Sequence, residues 1–364
     1  MKKNAKNTLV WAIIALIALT AAASAEVRVS GVIDRETRWK AEDGPFIIES
    51  DLLIVRRVNL TIAPGTRIII KNADNGKGHP DQFDRADSSL ISIRVLGSIT
   101  SIGRRNNPIT FEAETSGLVG YNWRGIILDG ADAENSEIAF TEITGATTGI
   151  TLQNTNILIR NNAIENCNIG IHAMNGGAPR IFNNMITTCF TAGIKVEKSN
   201  PQILNNIIAF NNNLGLWCDN SSKITFKYNC VFGNTDNNFL NCDPELGRLT
   251  RAVRGKDSTD IHGNIISDPV FIGSAAEAKA IEIDISLQTD SSRVRNTRLL
   301  SIPNLQFSSP RPPMEATIIG SENRQLSKKY SPCVEAGDPG GTFKNANGSR
   351  NTIGPSGGPD FMAR

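Results

Sequence analysis

Net charge is what this sequence has least of. Its 364 residues carry 38 basic and 36 acidic side chains. Three of the bases, Lys2, Lys3 and Lys6, fall in the first 25 residues, which hold no acid, so the rest of the chain has 35 bases against 36 acids. A chain so balanced has no field with which to recruit nucleic acid or an anionic membrane surface. Histidine is scarce too: only His79, His172 and His262 are present. No long apolar run follows the amino terminus, and no helical periodicity of useful length occurs between residues 40 and 240, which argues against helical repeats. The chain is nonetheless 40% hydrophobic and 20% charged, enough to bury a large core and too apolar for disorder. Six cysteines allow 15 pairings, but a chain of this length needs no disulfide to supply its core. They read as packing residues first, with Cys230 and Cys242, which flank a Gly/Asn-rich connection, as the better bridge candidate.

The amino terminus reads as an address. A basic start is followed by an apolar stretch, Leu9 to Ala23, and by the small residues Ala23, Ser24 and Ala25. Residues 1–25 are therefore expected to be a signal peptide cleaved before Glu26, giving a secreted or periplasmic product with no membrane span.

What the chain does have is a repeat. Asn161-Asn162, Asn183-Asn184 and Asn205-Asn206 recur every 22 residues, as do Ile159, Ile181 and Ile203, and Ile164, Ile186 and Ile208. A second marker, Gly149-Ile150, Gly170-Ile171, Gly193-Ile194 and Gly215-Leu216, keeps nearly the same period. Each unit holds short β-branched runs of period two, broken by Asn and Gly, which tolerate tight corners. Leucine-rich repeats share this length but need several leucines per unit. Three short strands per roughly 22 residues make one coil of a parallel β-helix, with coils about 4.8 Å apart and like residues stacked into ladders. Isoleucines go inside, and asparagine amides bond each other at the corners. The expected fold is all-β: a right-handed parallel β-helix solenoid over residues 26–245, with a less regular C-terminal extension or cap over 246–364. Residues 26–45 are expected to cap the first coil, and Cys167 and Cys189 to form a buried thiol ladder. Further strand signals lie at Ala280 to Leu287 and Ala316 to Ile319.

Trp39, Gly44 to Ile48, Leu60 to Thr66, Val95 to Ile99, Pro108 to Phe111 and Trp123 to Ile126 resemble the opening coils of bacterial right-handed parallel β-helix repeat proteins. Ser267 to Phe271, Ser331 to Pro339 and Asn351 to Gly354 resemble their closing segment. The resemblance covers most of the chain after residue 25 except 274–325. It implies the fold and an outward strand face as the working surface. It is nearly silent on activity, since such β-helices include pectate-lyase-like enzymes, copper-maturation accessory proteins and surface proteins.

Strand alternation picks out that face. With Ile150, Ile171, Ile194 and Leu216 inside, Thr151, His172, Lys195 and Trp217 point out, followed two residues on by Gln153, Met174, Glu197 and Asp219. His172, Lys195, Glu197, Trp217 and Asp219 thus form a candidate ligand-binding patch for a polysaccharide or an envelope protein. Glu197 and Asp219, one coil apart, are expected to share a proton or a cation, and with Lys195 they are the catalytic candidates for a lyase or hydrolase of uronic-acid polymers. The calcium-and-base set of pectate-lyase-like enzymes and the aspartate cluster of polygalacturonase-like hydrolases are both missing at matching positions. Weaker calcium candidates are Asp81, Asp84 and Asp87 in a polar insertion, and Asp338, Asn345, Asn347 and Ser349 in the tail.

Overall fold

The β-branched runs of each repeat fold as short strands in the computed structural model, which describes residues 26–72, 90–114, 121–130, 135–250, 259–271, 332–333, 336–339, 345 and 352–355. All ladder pairing is parallel, and the chain winds through about eight turns, with coils about 23 residues apart. Three strand faces result. The first runs from the opening of Phe46–Ile54 through Arg67–Ile70, Ile109–Ala113, Thr141–Thr144, Ala163–Glu165, Met185–Thr187 and Ile207–Ala209 to Cys230–Phe232. The second runs from the end of Phe46–Ile54 through Ser92–Val95, Gly125–Asp129, Thr148–Gln153, Ile169–Met174, Ala192–Glu197 and Leu214–Cys218 to Asn237–Leu240. The third starts at Thr37–Trp39 and ends at Thr225–Lys227. The 41-position separation of the paired Leu52 and Ile93 accommodates the polar insertion of residues 73–89, which lies outside the described residues, as do both further strand signals.

The isoleucine ladders fill the inside. Ile164, Ile186 and Ile208, then Ile150, Ile171, Ile194 and Leu216, then Ile159, Ile181 and Ile203 are all fully buried, each stabilising by about 1.5–3 kcal/mol. No coil can bury these side chains alone, so register between coils is what makes the core.

The paired asparagines divide the corner between them. Asn161, Asn183 and Asn205 take left-handed backbone conformations, with φ of 55–59°, which asparagine tolerates better than most residues. Their partners Asn162, Asn184, Asn206 and Asn229 point inward, each donating from Nδ2 to the Oδ1 of the next: 3.0 Å from Asn162 to Asn184, 3.0 Å to Asn206, 3.0 Å to Asn229 and 3.2 Å to Asn264. Each Oδ1 also accepts the backbone N–H of the preceding rung. The last donor, Asn264 Nδ2, ends on the buried Asp260 carboxyl group at 2.8 Å, which terminates the row of aligned amides.

Two expectations change. Residues 26–45 do not merely cap the solenoid: Val27–Ile33 and Thr37–Trp39 pair in parallel with the coil above and so form a first coil. A break in register between Val29 and Gly31 disguised that strand's alternation. The cysteine pairing differs too. Cys242 meets Cys218 rather than Cys230, because the chain turns at Asn241. Cys167 and Cys189 are buried free thiols in adjacent coils; burial pushes Cys167 up to about 12 and Cys189 well above its ordinary value.

The described tail residues lie along the first face. Asn161 Nδ2 donates to the Pro355 carbonyl, Asn183 Nδ2 to those of Thr352 and Gly354, and Asn205 Oδ1 accepts the Asp338 N–H. Under them Ala163, Met185, Ile207 and Ala209 form a second apolar cluster with Cys333 and Ile353.

Candidate functional site

Strand alternation and register place the patch on the second face. Thr151 lies opposite His172, His172 opposite Lys195 and Lys195 opposite Trp217, while Gln153 lies opposite Met174 and Met174 opposite Glu197. The intervening Leu152, Ala173, Val196 and Cys218 are buried, which fixes the outward direction of the two rows.

The side chains join in one network. His172 Nε2 is 2.6 Å from Glu197 Oε2, and Lys195 Nζ is 3.2 Å from the same oxygen. Lys195 Nζ also sits 4.1 Å from the centroid of the Trp217 ring, a cation–π contact. The imidazole is 13% exposed. Burial first, and then the neighbouring Lys195 charge, hold His172 below its ordinary value despite the attraction of Glu197. It is neutral at pH 7, and as Lys195 also donates to Glu197, the ring donates from Nε2. For Glu197, burial favours the neutral acid, but the hydrogen bonds and charge of Lys195, then His172, outweigh it and hold the carboxyl below its ordinary range.

Asp219 belongs to the patch by position but works on the backbone. Its Oδ2 accepts the Lys198 N–H at 2.8 Å and the Ser221 hydroxyl at 2.7 Å, and its Oδ1 accepts the Ser222 N–H at 2.9 Å. Burial is the largest single influence and opposes ionisation, but the bonds from Ser222, Ser221 and Lys198 together overcome it, holding the carboxyl well below its usual range. Glu197 and Asp219 are thus held by separate partners, one by side chains and one closing a turn, and both carboxyls lie below their ordinary range. Neither is poised as a general acid, which requires a raised pKa.

The two rows extend further than the repeat alone revealed. Arg94, opposite Ile127 and thus in line with Thr151, is 2.5 Å from Asp129, which lies opposite Gln153. Counting by twos from Ile93 and Leu128 would have found this pair, had the insertion at 73–89 not broken the period. The calcium candidates gain little. Asp81, Asp84 and Asp87 lie outside the described residues, as do Asn347 and Ser349. Asn345 is engaged by Thr352, accepting its N–H at 3.1 Å. Among the described residues, no three His, Cys, Asp or Glu side chains gather as a metal site, and no helix is long and apolar enough to cross a membrane.

Parallel coils stacked on three faces, with one outward face carrying a mixed polar and aromatic row, define a solenoid protein whose surface chemistry runs along its axis. Residues 114–266 match the family model described as right handed beta helix region. The match spans less than half of the chain, and together with the parallel pairing it supports a right-handed parallel β-helix fold. No curated protein and no solved structure matches it.

Proposed function

We propose that this is an exported β-helix protein that binds a polysaccharide along its second face, through His172, Lys195, Glu197 and Trp217, with Asp219 holding the adjoining turn. The observation that carries this reading is the contact of Lys195 with both Trp217 and Glu197. It fixes one aromatic ring beside hydrogen-bonding groups on two adjacent coils, and the His172–Glu197 contact carries the row to a third, the combination of apolar surface and directed polar groups that a sugar chain meets. Stacking along the axis suits a polymer better than a small molecule. With His172 neutral, the Lys195 charge is outnumbered by the Glu197 and Asp219 carboxylates, so a hydroxyl-rich neutral chain fits better than a uronic-acid polymer. Hydrolase or lyase chemistry at Glu197, Asp219 and Lys195 draws less support, because both carboxyls are held ionised by partners. An envelope protein as partner would use the same face.

A glycan array with the mature protein tests the reading, alongside Trp217→Ala and Lys195→Ala. Binding to a neutral polysaccharide, weakened about tenfold or more in both variants, is the expected result. Equal binding by wild type and both variants would remove this face from the function. The export half rests on the signal-like residues 1–25, and amino-terminal sequencing of the product from cells is expected to begin at Glu26. A product retaining Met1 in the cytosol would overturn it.

A further inference from the structure

The last strand of the second face, Asn237–Leu240, pairs with Leu214–Cys218, with Leu216 opposite Phe239 and Trp217 opposite Leu240. Asn241 then takes a left-handed conformation at φ 54°. The chain turns inward one residue past the register, and Cys242 Sγ arrives 3.3 Å from Cys218 Sγ. Cys167 and Cys189 make no such contact with each other; their thiols, like that of Cys242, bond to the carbonyls two residues before them, at 3.4 and 3.6 Å.

The two sulfurs differ in access. Cys218 is buried and Cys242 half-buried, and Cys242 lines a cleft of about 400 Å³ between residues 237–247 and Ile266. We infer that Cys218 and Cys242 are joined as a disulfide that staples the terminal coil to the one bearing Trp217. Cys242 is the attacking thiol: its hydrogen bond with Cys218 lowers it from the ordinary thiol value, whereas the same contact, and then burial, raise Cys218. The oxidant is a small or protein disulfide entering from the cleft. The Cys242 thiolate displaces one thiolate from it and forms a mixed disulfide. The Cys218 thiolate then attacks Cys242 Sγ and displaces the second. The two protons of the cysteine thiols pass to the two departing thiolates, so two cysteines and one disulfide become one internal disulfide and two thiols. A 24-residue separation between the cysteines is long enough for the link to restrict the unfolded chain.

The full-length protein, equilibrated with glutathione disulfide, alkylated and digested without reductant, tests this independently of ligand binding. A peptide pair joining Cys218 to Cys242 is expected, with the loss of two thiol equivalents and a melting temperature that reductant lowers. Cys242→Ser should abolish the effect of reductant; if that variant fails to fold, the wild-type peptide map alone decides. Complete alkylation of both cysteines in the oxidised protein, or Cys242 linked to Cys230, would overturn the inference.

Discussion

Asn206 shows how much one corner residue carries. Its Oδ1 accepts both the backbone N–H and the amide of Asn184, at 2.8 and 3.0 Å, and its Nδ2 donates to the Ile181 carbonyl and to Asn229. Asn206→Ala leaves several fully buried groups without partners at once, so a loss of about 3–5 kcal/mol is expected in urea unfolding. The asparagine doublet was plain in the sequence, but its division of labour was not, since only backbone conformation tells the outward residue from the inward one. His172 carries a second residue-scale consequence. Its folded-state pKa is lowered from 6.5, so below that value the unfolded chain takes up a proton that the folded chain refuses. Stability is therefore complete above about pH 6.5 and falls as pH drops toward the folded value. The lowered carboxyl of Glu197 adds stability that fades only below its ordinary 4.5. Urea midpoints between pH 7 and 5 should fall for the wild type and flatten in His172→Gln. Equal slopes would place the imidazole in water.

At the scale of the strand, the Gly-Ile marker reports close approach between coils rather than unusual backbone angles. A Cβ on Gly170 would stand 2.5 Å from the Gly193 carbonyl oxygen and 2.5 Å from Ile186 Cγ2, and one on Gly149 would stand 2.7 Å from the Gly170 oxygen. Neither glycine is among those with positive φ, so packing alone excludes the side chain. Gly170→Ala is expected to cost about 1–3 kcal/mol by pushing two coils apart, read as a lowered midpoint with an unchanged slope in urea. An unperturbed midpoint would mean that the corner relaxes. Periodic elements such as these were legible because each residue repeats the same duty 21–23 places later. Elements that break the period were not. The bulged first strand Val27–Ile33 hid as a cap, and the turn at Asn241 moved Cys242 by one position and changed its partner.

The whole molecule must also close off what stacking leaves open, and here the sequence offered least. Alternation on the first face puts Ala163, Met185, Ile207 and Ala209 outside the coil, an apolar stripe that water would otherwise meet. Part of its cover is bound through Asn161, Asn183 and Asn205 by residues 133 to 194 positions away, and a contact made once has no period to reveal it. The same asparagines that shape the corner thus seat the tail, which couples the register of three coils to the docking of residues 352–355. Ile353 is fully buried against Cys333, so Ile353→Asp places an unpaired charge in the seam. The tail should then detach while the coils, held by their own ladders, stay folded. Limited proteolysis is expected to remove the carboxy-terminal segment at least tenfold faster than in wild type, consistent with about 1.4 kcal/mol or more of lost docking energy. The β-sheet circular dichroism should remain, and binding of a hydrophobic dye should rise as the stripe is uncovered. Unchanged cleavage and no dye binding would show that the tail contributes nothing to shielding this face.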